Sequence, residues 1–225
     1  ALPEPRVASA SCSFRDGRVV VAGLFTSVNG VNRNRIARLN SDGSVDDTFN
    51  PGGGANNPIR DIAVQPDGKV VIVGDFSSYN GVTRMGVARI NSDGTLDEGF
   101  NPGDGADFSV FAVELQRDGQ ILIAGDFHNY DEVASRGIAR LNSDGSIDTS
   151  FSPGFGFDDS VRCVALQEDG KIIVGGFFAH VGNVERGRIA RLNTDGSLDA
   201  GFVSGAGANG SVYSLAIQSD GRILA

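Results

Sequence analysis

Apolar residues fall along this chain in short runs punctuated by glycine, without helical periodicity. "RVVVAGLF" (18–25), "KVVIVGDF" (69–76), "QILIAGDF" (120–127) and "KIIVGGFF" (171–178) are apolar at successive positions. Short runs of this kind fit strands buried on both faces better than strands with one face in water. A looser apolar segment precedes the later runs, as in "PIRDIAVQ" (58–65), "SVFAVELQ" (109–116) and "SVRCVALQ" (160–167), and returns as "SVYSLAIQ" (211–218). An Asp-Gly pair separates the two segments, as in "QPDGK" (65–69), and both residues tolerate the positive φ of a tight hairpin. A third strand is predicted at "RIARLN" (35–40), followed by a second Asp-Gly turn and a short fourth strand near "SVDDTF" (44–49). A Gly/Pro-rich crossing such as "NPGGGA" (50–55) leads into the next unit.

The pattern repeats without insertion or deletion. One Asp-Gly series ends at Gly17, Gly68, Gly119, Gly170 and Gly221, another at Gly43, Gly94, Gly145 and Gly196, and both have a period of 51 residues. In register, Phe25, Phe76, Phe127 and Phe178 form one column, and Phe49, Phe100, Phe151 and Phe202 another. Arg38, Arg89, Arg140 and Arg191 form a third, and Asp46, Asp97, Asp148 and Asp199 a fourth. Four short antiparallel strands make a small twisted sheet that cannot bury both faces alone, and radial stacking of such sheets predicts an all-β fold, a β-propeller. A parallel β-helix is the rival, but its coils are shorter than 51 residues and antiparallel hairpins do not suit it. The expected blades are 8–49, 59–100, 110–151 and 161–202, with part of a fifth at 211–225, all within a single repeat domain over 1–225.

These units resemble the delta-60 repeat, a β-propeller repeat of unknown function. "LQEDGKIIVGGFF" (166–178), "RGRIARLNTDGSLDAGF" (186–202) and "NPGGGA" carry the likeness, which spans essentially all of the chain after about residue 14. The resemblance implies a secreted or surface-attached bacterial protein, and it transfers no catalytic residue. Both ends of the chain carry the first strand and the start of the second. The expectation is therefore a longer array, or completion by strands from another chain in a homo-oligomer or assembly. A closed ring of five blades is the alternative.

Charge narrows the partners. A formal net charge of −9 opposes phosphate binding, which needs clustered Lys and Arg, and it disfavours anionic membrane surfaces. No apolar run approaches the roughly 18 residues that span a bilayer. The opening "ALPEPRVASA" lacks the basic start and apolar middle of a signal peptide, and it would suit a mature chain left after cleavage. Two cysteines, Cys12 and Cys163, supply neither a disulfide framework nor a structural zinc site, and read as small core residues.

The repeated "LNSDGSVDDTF" (39–49) is the main metal candidate, through Asn40, Asp42, Asp46 and their repeats. Aligned as a calcium loop with Gly43 at position 6, it matches at Asn40, Asp42 and Val45. It also puts Arg38 where the first ligand belongs and Phe49 where the closing carboxylate belongs, so a hairpin turn is the better reading and no cofactor is expected. The repeated Arg and Asp read as a bond fastening third strand to fourth. The glycine-rich crossings precede strands rather than helices, which argues against phosphate loops. Two histidines in different columns, and no Gly-x-Ser-x-Gly motif, leave catalytic residues unassigned.

The two Asp-Gly turns lie at the same end of each blade, and the other end varies most between copies: "TSVNGVNR", "SSYNGVTR", "HNYDEVAS" and "AHVGNVER". Recognition is expected there, through Tyr79, Tyr130, His128, His180, Phe155 and Phe157, with carboxylates Asp131, Glu132, Asp158 and Asp159 nearby. The expected function is a noncatalytic secreted or cell-surface scaffold for protein or glycan interaction, adhesion or assembly. The alternative is a propeller hydrolase or lyase with a channel site, with or without calcium.

Overall fold

The computed structural model describes residues 10–14 and 16–225, so the expected first two residues of the first blade, Ala8 and Ser9, lie outside the described residues. It is all-β and made of repeated antiparallel sheets. The chain divides into two compact units, one ending at Gly105 and one beginning at Ala106.

The first unit holds two repeats. In the first, β1 (Ala10–Ser13), β2 (Val19–Ala22) and β5 (Ile36–Leu39) pair in that order, and a short ribbon, β3 (Ser27–Val28) with β4 (Val31–Asn32), occupies the link between β2 and β5. In the second, β6 (Ile59–Val64), β7 (Val70–Gly74) and β10 (Val87–Ile90) form the sheet and β8 (Ser78–Tyr79) with β9 (Val82–Thr83) the ribbon. The predicted fourth strand pairs through one bridge per repeat, Leu39 with Val45 and Ile90 with Leu96. All five residues of β7 are buried, as its unbroken apolar run requires. β1 packs on β6, and Val20, Ile36, Phe49, Ile59, Ile72 and Phe76 are among the residues closing one core between the two sheets.

The second unit repeats the plan with β11 (Val110–Leu115), β12 (Ile121–Gly125), β13 (Asn129–Tyr130), β14 (Val133–Ala134) and β15 (Ile138–Leu141). It continues with β16 (Val161–Leu166), β17 (Ile172–Gly176), β18 (His180–Val181), β19 (Val184–Glu185) and β20 (Ile189–Leu192). The partial fifth repeat contributes a two-residue pairing, β21 (Ala216–Ile217) with β22 (Ile223–Leu224). Val212, which precedes β21, is buried.

Each complete first strand from β6 onward carries a bulge at its second residue. Ile59 pairs with Gly74 but Asp61 with Val73, leaving Arg60 as the extra residue, and the same shift isolates Phe111 and Arg162. A bulge re-aims one side chain out of the alternating pattern. The glycine opposite is its structural counterpart: a Cβ on Gly176 would lie 2.2 Å from the Ser160 carbonyl oxygen. Gly176→Ala should therefore push the bulge outward and cost about 1–3 kcal/mol of stability, the usual penalty for overpacking, as measured by urea denaturation. A neutral result would show that β16 does not need this close approach.

Candidate functional site

The repeated Arg and Asp meet in every repeat. The Arg38 Nε donates to Asp46 Oδ2 at 2.8 Å, and the copies are Arg89 with Asp97 at 2.6 Å, Arg140 with Asp148 at 2.8 Å and Arg191 with Asp199 at 2.8 Å. A second donor from the start of the second strand reaches the same carboxylate: Lys69 on Asp97, Gln120 on Asp148 and Lys171 on Asp199, each at 2.8 Å. Each guanidinium also lies over the repeated Phe, about 5 Å from ring centroids at Phe49, Phe100, Phe151 and Phe202. The geometry makes this cassette a fastener between third and fourth strands.

The turn residues are similarly occupied. Asp42 Oδ1 accepts from the Ser44 amide at 2.9 Å and its hydroxyl at 2.6 Å, while Asn40 Nδ2 donates to Ser44 Oγ at 2.9 Å. Asp46 Oδ1 accepts from the amide and hydroxyl of Thr48 at 2.9 and 2.6 Å. Asn40, Asp42 and Asp46 thus serve turn and fastener, and among the described residues no three His, Cys, Asp or Glu side chains converge as a metal site would need.

Burial alone would raise the Asp148 carboxyl, but the Ser150 hydroxyl and amide, Arg140 and Gln120 outweigh it and hold the group at about 2, below its ordinary 3.8. Lys171 chiefly, with the Gly201 amide and Arg191, holds Asp199 at about 2 as well. A depressed folded-state pKa contributes stability that is present above the unfolded value and lost as pH falls through the folded one. The protein should therefore lose stability between about pH 4 and pH 2, with Asp148 alone contributing about 2 kcal/mol. Urea midpoints measured across that interval test this, and Asp148→Asn should flatten the slope.

At the crossings and ribbons the six predicted recognition residues separate into two groups. Tyr79 and Tyr130 are fully buried, which corrects their assignment as exposed recognition residues. Both sit in the ribbon strands facing inward, and their hydroxyls donate to the carbonyls of Gly94 and Gly145 at 2.8 and 3.1 Å. Burial pushes both phenols far above their ordinary pKa. Phe157 is likewise a core residue, 4.7 Å from the Phe178 ring.

His128, His180 and Phe155 are exposed. The His128 ring stands edge-on to Phe108 at 5.6 Å, and Phe155 is 80% exposed. His180 Nδ1 lies 2.8 Å from Asp158 Oδ2, while Asp158 Oδ1 accepts from the amides of Ala179 and His180. Asp107 caps the His128 and Asn129 amides in the same way, and Asn56 caps Ser77 and Ser78, so this contact is a repeated clip between crossing and ribbon. Asp131 and Glu132 form the β13–β14 turn with φ of 47° and 63°.

One further group at this end escaped sequence reasoning. The Arg162 guanidinium lies 3.8 Å from the centroid of Phe111 and 4.4 Å from that of Phe177, and Phe177 meets Tyr213 edge-on at 5.4 Å. The available signal was the column Arg60, Phe111, Arg162, Tyr213, which alternates cation and aromatic at the second position of the first strand.

Small antiparallel sheets recurring at 51 residues, each fastened by the same Arg, Asp and Phe, define a β-propeller repeat protein. The chain belongs to the family described as the DUF5122 β-propeller domain of unknown function, whose model matches residues 15–49, 65–100, 116–151 and 167–202. No curated protein matches it. Among solved structures, the WD40 β-propeller domain of Doa1 aligns with a TM-score of 0.60 at 16% identity, over 94% of this chain and 57% of its own. The extracellular domain of the putative one component system BT4673 from B. thetaiotaomicron aligns at 0.58 and 13% identity, over 99% of this chain and 28% of its own. Virginiamycin B lyase from Staphylococcus aureus aligns at 0.57 and 15% identity, over 98% of this chain and 63% of its own. The chain thus spans less than two thirds of each of these three, and at 13 to 16% identity the likeness is one of fold. Among the described residues no helix is long and apolar enough to cross a membrane.

Proposed function

We propose that this chain is a noncatalytic β-propeller module, displayed outside a bacterial cell, that binds a protein or glycan partner through the crossing-and-ribbon end of its repeats. The observation that carries this reading is a division of labour between recurring polar groups and varied exposed side chains. The polar groups that recur in every repeat bond one another, as Arg89 and Asp97 do, whereas the exposed Phe108, His128, Phe155 and His180 each occur in one copy only, beside an exposed ribbon valine that recurs at Val31, Val82, Val133 and Val184. Phe155 at 80% and Phe108 at 58% exposure are apolar surface that the fold itself does not use. The delta-60 resemblance and the likeness to bacterial extracellular domains support the location.

Purified chain screened on glycan and surface-protein arrays tests the reading. A specific partner whose binding falls in Phe155→Ser, with stability unchanged, is the expected result. Binding insensitive to every substitution at this end would overturn it.

A further inference from the structure

We propose that the Asp-Gly turns between first and second strands, at Asp67, Asp118 and Asp169, are sites of spontaneous isoaspartate formation, and that those between third and fourth strands, at Asp93 and Asp195, resist it. The reaction releases and takes up only water. The glycine amide nitrogen bonds to the aspartate Cγ while the amide proton and the carboxyl OH leave as water, which closes a succinimide. Water then adds to one ring carbonyl and breaks its C–N bond. When the bond to the α-carbonyl is the one that breaks, the chain runs on through the side chain and gains a backbone methylene.

Glycine follows aspartate at all five sites, so the surroundings decide which of them react. Ring closure requires the Asp–Gly peptide plane to rotate until the amide nitrogen faces the side-chain carbon. At the turns between third and fourth strands the preceding repeat pins that plane. The Asn50 amide donates to the Asp93 carbonyl at 2.6 Å, and the Ser152 amide to the Asp195 carbonyl at 2.8 Å. One residue earlier, Arg38 Nη1 donates to the Ser92 carbonyl and Arg140 Nη1 to that of Thr194. Gly94 and Gly196 are buried against Asn50 and Ser152. Among the described residues no hydrogen bond reaches the carbonyls of Asp67, Asp118 or Asp169, and the glycines after them are half-buried.

The carboxylates differ in the same direction. Asp93 Oδ1 accepts from the Thr95 amide at 3.0 Å and hydroxyl at 2.7 Å, and Asp195 Oδ1 from those of Ser197 at 2.9 and 2.6 Å. Asp67, Asp118 and Asp169 each accept the amide two residues on, at 3.0, 3.1 and 3.1 Å, and no hydroxyl is available there. The residues at that place are Lys69, Gln120 and Lys171, whose side chains reach away to the fastener carboxylates Asp97, Asp148 and Asp199. The fastener thus takes the position from which a hydroxyl clamps the other turns. A clamped carboxylate is held toward the residue two places on rather than toward the glycine nitrogen. The Thr95 hydroxyl, and after it the amide, also holds the Asp93 carboxyl below its ordinary 3.8, which thins the neutral acid that can lose water. Ring closure at Asp93 or Asp195 must therefore break bonds to the preceding repeat as well as bonds within the turn, and segments tied by fewer contacts open more often.

The test ages the folded chain at about pH 5, where these carboxyls still populate some neutral acid, and maps its peptides by electron-transfer fragmentation, which distinguishes isoaspartate from aspartate at equal mass. Asn29, Asn80 and Asn209 also precede glycine, but their deamidation changes the mass and is counted separately. The expected result is isoaspartate at Asp67, Asp118 and Asp169 forming at least about tenfold faster than at Asp93 and Asp195. In a parallel sample unfolded in urea, the five rates should converge to within about threefold. Thr95→Val, which removes an exposed hydroxyl and keeps the shape, should raise the rate at Asp93 and leave Asp195 unchanged. Equal rates at all five sites in the folded chain overturn the assignment. So does a contrast that persists in urea, because it would then belong to the local sequence and not to the fold. An unchanged Asp93 rate in Thr95→Val overturns the role given to the hydroxyl.

Discussion

Asp46→Ala is expected to destabilise the first unit by about 3–5 kcal/mol, the cost of stranding a buried charge. Arg38 and Asp46 are 3% and 5% exposed, so neither is solvated enough to stand alone. Asp46 spends one oxygen on the Thr48 amide and hydroxyl and the other on Arg38 at 2.8 Å and Arg18 at 3.3 Å. Without it Arg38 keeps the Ser92 carbonyl, Thr48 Oγ1 and the face of Phe49, none of which carries a negative charge. The penalty belongs to the uncompensated cation rather than to the net worth of the pair. Replacing both partners, Arg38→Met with Asp46→Leu, should therefore recover most of the loss. Urea denaturation of the two variants separates these contributions, and a loss below about 1 kcal/mol in Asp46→Ala would place the pair with ordinary surface ion pairs.

This fastener was legible in the sequence because a period without insertions puts Arg38 and Asp46 in columns, and a column of opposite charges at constant separation has few structural meanings. Side-chain direction at the varied end was not legible in the same way. Phe155 and Phe157 share parity and would share a face in an extended strand. Gly156 between them has a φ of 69°, which turns the chain so that Phe155 is exposed and Phe157 packs on Phe178. Tyr79 is buried because the varied link that carries it is itself a two-stranded ribbon. Asn80-Gly81, with φ of 47° and 79°, is the turn signal of a short hairpin, and that hairpin buries Tyr79 while its partner Val82 stays exposed. The bulge that aims Arg162 was hidden for a different reason: it exists only in the register between two strands, and no single segment encodes it.

The second large effect lies in the core. Phe100→Ala should cost about 3–5 kcal/mol, since the ring is fully buried and its removal leaves a cavity as well as lost apolar transfer. The ring has a second function, because the Arg89 guanidinium lies 4.9 Å from its centroid while binding Asp97 at 2.6 Å. Truncation therefore opens space beside an ion pair whose strength depends on exclusion of water. Phe155→Ala supplies the contrast within one chemical type: the same atoms are removed from a side chain 80% exposed, and the change should stay within about 0.5 kcal/mol. Thermal or urea unfolding of the two variants measures the difference directly. Equal losses would mean that the repeated Phe does not seal the sheet. A large loss at Phe100 beside a negligible one at Phe155 would separate the residues that build the blade from those left free for a partner.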